Sequence, residues 1–220
     1  MPTVVVDPGH GGTVEVGGSS PNNAVGPTGL LEKDVTLQVA TRMKASAKKH
    51  AVVLTRERDT NLGLAARARV AKDRKAPAFV SVHFNGWPTS DVQGTETYVH
   101  ASGSVESLAL AKAVHSNVLA ATGLKDRGLK RAAFVVLEPT HHAAETAACL
   151  VEISFMTQAS EESRLRTPAY LDRLAEAVNA AIGAYLTTPD LTSSELAAAE
   201  MRALPQAPGD EDAAGANLGL

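Results

Sequence analysis

Val4-Val5-Val6-Asp7-Pro8-Gly9-His10 is an apolar β-type run that breaks at a Pro-Gly turn and ends on a histidine. Phe79-Val80-Ser81-Val82-His83 ends the same way, and Cys149-Leu150-Val151-Glu152 ends on a glutamate. Short Val-rich runs of this kind read as strands of a buried, parallel sheet. Parallel strands place their carboxyl ends along one edge, where open α/β folds build their sites. His10, His83 and Glu152 are then neighbours in space. Glu32, which opens the first helix of the pattern, falls near the same edge.

The intervening pattern alternates. Residues 11–29 form a long Gly/Pro/Asn loop, of a length usually tied to function. A helix is expected over 31–48, with Leu31, Val35, Val39 and Met43 on one face. A strand follows at 51–55, a helix rich in Ala and Arg at 62–75, a strand at 78–84 and another at 94–100. Residues 105–121 read as a helix ending before Gly123, and 132–137 and 147–154 as further strands. The last helix of the body takes Thr167 as N-cap and Pro168 at its first position, with Leu171, Leu174, Val178 and Ile182 inward. The expected fold is α/β: a single domain with a mostly parallel, twisted sheet flanked by helices on both faces.

The chain has 220 residues, 44% hydrophobic and 20% charged, as in ordinary globular proteins. Aromatics are only 4%, so Ala, Val and Leu must build the core. The body is expected to end near Leu186. Residues 187–220 hold six acids and one base, a net of −5 against −3 for the whole chain, which leaves the body at +2. This Ala/Pro-rich tail is expected to be disordered or peripheral, with one helical stretch around 194–204. No apolar run is long enough to span a membrane. A β-run starts almost at the first residue, so no secretory signal is read; the expectation is a removed leader or export by another route. The lone Cys149 forms no internal disulfide.

Each candidate site residue has a plainer reading. His10 in Gly9-His10-Gly11-Gly12 would otherwise be a surface turn histidine, and His83 a histidine packed at a strand end. Glu32 would be a first-turn acid complementing the helix dipole. Glu152, closing an apolar strand, carries a desolvation cost unless it is paired or used. Its structural role would be an ion pair with a residue such as Arg56; its chemical role is that of a general base. Together, two imidazoles and a carboxylate with a coordination position left for water match a catalytic zinc arrangement. Asp7 either orients His10 or shapes the turn, and the turn role is expected.

Other features are set aside. His50, His100 and His115 read as surface positions, and Arg67 and Arg69 as a solvated helix face. His141 and His142 sit in a loop with Glu138 and Glu145 but point apart on an extended chain. The glycine-rich loop lacks the Gly-Lys-Ser/Thr ending of a phosphate loop. No aromatic-basic interleaving suggests single-stranded nucleic acid as a partner.

Five ordered motifs resemble the zinc-dependent N-acetylmuramoyl-L-alanine amidases of the amidase-3 type, bacterial and phage cell-wall hydrolases. They are Val-Val-Asp-Pro-Gly-His-Gly-Gly (5–12), Gly-Leu-Leu-Glu-Lys-Asp-Val (29–35), Leu-Thr-Arg-Glu-Arg-Asp (54–59), Val-Ser-Val-His-Phe-Asn (80–85) and Leu-Val-Glu-Ile-Ser-Phe (150–155). The resemblance covers nearly all of residues 1–186. It implies Zn2+ held by His10, Glu32 and His83, with Glu152 as the catalytic glutamate. It also implies hydrolysis of the amide between N-acetylmuramic acid and the L-alanine of the stem peptide, so peptidoglycan is the expected partner, at the cell wall, for a monomeric protein. The sequence departs from the family in a longer loop between His10 and Glu32, and in Ile153-Ser154 where a glycine is usual after the catalytic glutamate. Competing readings are a zinc peptidase or deacetylase on the same polymer, and a non-catalytic wall-binding homologue.

Overall fold

The computed structural model describes residues 1–89, 91–187 and 195–207. Its six-stranded sheet has the order β2-β1-β3-β6-β4-β5. The strands are β1 (Thr3–Pro8), β2 (Ala51–Leu54), β3 (Ala78–Asn85), β4 (Thr95–His100), β5 (Asp126–Ala132) and β6 (Ala147–Phe155). β2, β1, β3 and β6 are mutually parallel. β4 runs antiparallel to β6, and β5 parallel to β4. The carboxyl ends of β1, β3 and β6 therefore meet the amino ends of β4 and β5 at one edge.

Helices cover both faces. The main core joins α1 (Glu32–Ser46), α3 (Val105–Thr122) and α5 (Pro168–Thr187) to one side of the sheet through Val35, Val39, Leu110, Val114, Leu174 and Val178. On the other side α2 (Leu64–Asp73) and a 3₁₀ turn, Val135–Leu137, pack on Val5, Phe79, Tyr98 and Leu150. α3 has orthodox ends: Ser104 accepts from the Ser107 amide, and Gly123 closes it at φ 66°. A short helix not anticipated from the sequence, α4 (Ala159–Leu165), follows β6.

Two expectations are corrected. Residues 132–137 do not form a strand. The strand is Asp126–Ala132, a polar, half-buried edge run, and Phe134, Val136 and Leu137 instead bury themselves through a 3₁₀ turn laid over the sheet. The histidines taken as surface positions are buried. His50 lies against Asn179 of α5, His100 against Glu138, and His115 between Thr97 and Asp126.

In the tail, α6 (Glu195–Ala203) packs on α3 and buries Met201 in the main core. The Arg131 amide donates to the Pro205 carbonyl at 2.8 Å, and the Ala207 amide to the Arg131 carbonyl at 2.7 Å, which covers the open edge of β5. The rest of the tail, residues 188–194 and 208–220, lies outside the described residues.

Candidate metal centre and amidase site

Glu32 is the hub of the site. One carboxylate oxygen, Oε2, lies 3.3 Å from His10 Nε2 and accepts the Ala24 amide at 2.9 Å. The other, Oε1, lies 3.1 Å from His83 Nδ1 and accepts the Phe84 amide at 3.1 Å. The imidazoles stand edge to face, centroids 5.0 Å apart. Glu32 does open α1, as the dipole reading requires, but its side chain is buried and turned to the two rings. One ligand atom from each of His10, Glu32 and His83 falls within 4.8 Å of the others. Among the described residues this is the one such group of three or more, so His141, His142, Glu138 and Glu145 do not assemble a second.

The backbone is shaped to hold these rings. His10 itself sits at φ 60°, followed by Gly11 at 135° and Gly12 at 67°. A non-glycine residue in the left-handed region is held there by its surroundings. Arg67, 1% exposed, supplies much of that hold. It donates to the carbonyls of Pro8 (2.9 Å) and His10 (2.8 Å) and pairs with Asp7 at 2.9 Å. Arg56 donates to the carbonyls of Pro8, Gly9 and Lys33. Arg67 is thus not on a solvated face, as expected, but is an internal clamp. Helical periodicity does not reveal it, because the turn's exposed carbonyls, not apolar packing, draw it inward.

Asp7 shapes the turn and does not touch His10. It accepts from Thr55, from Ser81 (2.8 Å) and from Arg67, which hold its carboxyl below the usual range despite burial. His10 Nδ1 instead lies 3.2 Å from the Ser20 carbonyl. The Ser20 hydroxyl lies nearer, at 3.0 Å, so Nδ1 is held by both polar groups of Ser20 and Nε2 is turned to Glu32 and the space beside it. That orientation suits a metal ligand whose outer nitrogen is fixed by the protein.

Electrostatics agree. Burial penalises a carboxylate at Glu32, yet the two histidines outweigh it and hold its pKa well below the ordinary range. Burial opposes charge on His10, but Glu32 raises its pKa; on His83 burial prevails and lowers it. With one soft-to-borderline nitrogen from each ring and one anionic oxygen, the donors fit a divalent zinc ion.

Glu152 is the register partner of His83 on the neighbouring parallel strand. It is 4% exposed, and its Oε2 has no hydrogen-bond partner among the described residues. Burial, then the charges of Glu32 and Glu96, raise its pKa well above the ordinary 4.5. It does not pair with Arg56, whose donors go to the turn carbonyls.

On the far side of Glu152 stands Glu96, its cross-strand partner on β4. Glu96 receives Arg127 Nε at 2.5 Å, Lys130 Nζ at 2.9 Å and the Tyr98 hydroxyl at 2.5 Å. This cluster is not among the residues expected from the sequence. Its signal is the alternation in Glu96-Thr97-Tyr98, which places an acid on the same inward face as a buried tyrosine.

Residues 4–184 match the family described as N-acetylmuramoyl-L-alanine amidase. This chain belongs to that family. It is 35% identical over 180 residues to the N-acetylmuramoyl-L-alanine amidase LytC of Bacillus subtilis (strain 168), which covers 80% of this chain and 34% of LytC. It is 34% identical to the endolysin of Bacillus phage SPP1, over 79% of this chain and 62% of the endolysin. The chain thus spans about a third to two thirds of these two relatives. The solved catalytic domain of the amidase CwlV from Bacillus (Paenibacillus) polymyxa var. colistinus superposes with a TM-score of 0.74 at 35% identity, covering 84% of this chain and 98% of that domain. The six-stranded α/β architecture is that of amidase catalytic domains.

Proposed function

We propose that this chain is a zinc-dependent N-acetylmuramoyl-L-alanine amidase that acts on peptidoglycan at the cell wall, with residues 1–186 as its catalytic domain and the chain acting as a monomer. The observation that carries the reading is the pairing of a complete three-ligand group, His10, Glu32 and His83, with an unpartnered buried carboxylate one strand away. Zinc bound there would supply a Lewis acid and a water of lowered pKa.

The chain's own residues have separable tasks. His10 and His83 present one ring nitrogen each, and Glu32 a carboxylate locked by two backbone amides. Glu152 Oε2, without a hydrogen-bond partner among the described residues, takes a proton from the attacking water and returns it to the departing alanine nitrogen. Burial raises its pKa, which favours keeping the proton until the nitrogen departs. Arg67 and Arg56 keep the 8–10 turn from relaxing while the site turns over.

A peptidase or deacetylase would use the same groups, so the product decides. Purified sacculi are digested and the new amino groups identified. New L-alanine amino termini support the amidase, whereas new D-amino-acid termini or N-deacetylated sugars within the glycan would overturn it. In parallel, His10→Ala and His83→Ala are expected to lose zinc and turnover together; full zinc and normal turnover in either would remove that histidine from the ligand set.

A further inference from the structure

The Glu96 cluster holds more positive charge than it neutralises. Arg127 and Lys130 both converge on one oxygen of Glu96, and Tyr98 takes the other. One carboxylate thus serves two cations, which leaves a net positive charge. Of the other acids nearby, Asp126 pairs with His115 at 2.9 Å and Glu138 with His100 at 3.1 Å, while Glu152, the cross-strand neighbour of Glu96, is buried and its Oε2 has no hydrogen-bond partner among the described residues. Arg127 uses Nε on Glu96, while Nη1 and Nη2 make no hydrogen bond to the described residues. Its guanidinium rests 5.1 Å from the Phe155 ring centroid, and its side chain remains 30% exposed. Lys130 is 24% exposed and lies over Tyr98 at 5.7 Å. These are braced, half-open cations with donors to spare, unlike freely waving surface lysines.

Their placement is set by register. His83, Glu152 and Glu96 occupy one row across β3, β6 and β4 on the same face of the sheet. Two strand spacings separate His83 from Glu96, roughly 10 Å. A peptide leaving the site along this row covers about 7 Å in two residues, and the second residue's carboxyl group extends a few Å further, to about 10 Å. The charge cluster therefore stands at the distance of the residue that follows the alanine.

We propose that Arg127 and Lys130 form a carboxylate-binding subsite that takes a free carboxylate on the stem-peptide residue after the alanine. The subsite rests on the amidase reading for the direction of the peptide. Glu96 is the positioning residue that braces both cations beside Glu152. Arg127 is the primary contact, since its planar fork matches a carboxylate in two parallel hydrogen bonds.

The test uses the intact protein and two L-alanyl dipeptides whose second residue carries either a free α-carboxylate or the primary amide. Binding is followed by NMR titration. The carboxylate form is expected to bind about tenfold more tightly, with the ratio shrinking as salt rises, because the cations are partly exposed. Arg127→Gln and Lys130→Gln should each cut the ratio to about twofold or less while binding of the amide form is unchanged. Arg127→Lys, which keeps the charge but loses the fork, should fall between the unaltered protein and Arg127→Gln. A ratio near one in the unaltered protein, or a ratio unmoved by both glutamine variants, overturns the subsite. The N-acetylmuramoyl derivatives of the same dipeptides separate the two claims. Cleavage with the same preference, expressed in KM, supports both; no cleavage of either with the binding ratio intact overturns the amidase reading and leaves the subsite standing.

Discussion

Gly9 lies directly against the His83 ring: a Cβ at position 9 would stand 2.6 Å from both Nδ1 and Nε2, closer than any real contact. The strand-turn backbone therefore serves as one wall of the histidine's socket. Gly9→Ala should push the ring away from Glu32 and lower metal affinity about 10–100-fold, comparable to the loss of a supporting contact around a ligand. Zinc titration against a competing chelator checks this. Unchanged affinity would mean that the ring has room that the packing denies it.

Arg67 and Asp7 are both almost fully buried, and each satisfies the other. Arg67→Met should destabilise the fold by about 3–5 kcal/mol, because it leaves Asp7 charged and the Pro8 and His10 carbonyls unpaired. Chemical denaturation measures it. A loss below 1 kcal/mol would place Arg67 on the solvated face that its helical neighbours suggest.

The docked part of the tail contributes stability. Met201 is 6% exposed and joins the main core, with Leu204 packed beside it. Deleting residues 188–220 should cost about 2–3 kcal/mol, from burial of these side chains alone. The melting temperature should fall by roughly 5–10 °C. An unchanged melting temperature would show that α6 adds nothing to the body.

Glu152 gives the metal-free protein a pH-dependent penalty. Its pKa is raised in the folded state, chiefly by burial. Below the ordinary 4.5 both folded and unfolded chains hold the proton and no difference arises. As pH rises past that value the unfolded chain releases its proton while the folded chain keeps it, so stability falls until the folded pKa is reached. Glu152→Gln should therefore stabilise the chelator-treated protein at pH 8 and leave it unchanged near pH 4. Equal stability of the two proteins at both pH values would mean that Glu152 finds a partner in solution.

The three apolar runs were legible because a buried strand can hold little besides Val, Leu and Ala, so a His or Glu at its end stands out. The meeting of His10, Glu32 and His83 followed from strands being parallel, which their βα alternation implied. What stayed hidden depends on pairing between distant segments. β5 is a polar edge strand with a glycine at its third position, so Asp126–Ala132 carries no apolar alternation, while the apolar Phe134 to Leu137 mimics a strand and covers one. Arg67 looked solvated because sequence periodicity cannot show that a turn's carbonyls wait above it. Glu96 has meaning only through its register with Glu152, which is a property of the β4–β6 pairing. The longer loop before Glu32 proves to be fixed at its far end, where Glu162 accepts the Thr28 and Leu30 amides.

The division of labour between metal ligands and Glu152 is tested most directly by Glu152→Gln, measured for zinc content and for release of stem peptide from a muramoyl peptide in the same preparation. The amide keeps the shape and removes the base. Zinc should remain at about one ion per chain, while turnover falls by a factor on the order of a hundred or more. Near-normal turnover with full zinc would contradict the account and make Glu152 a buried structural acid.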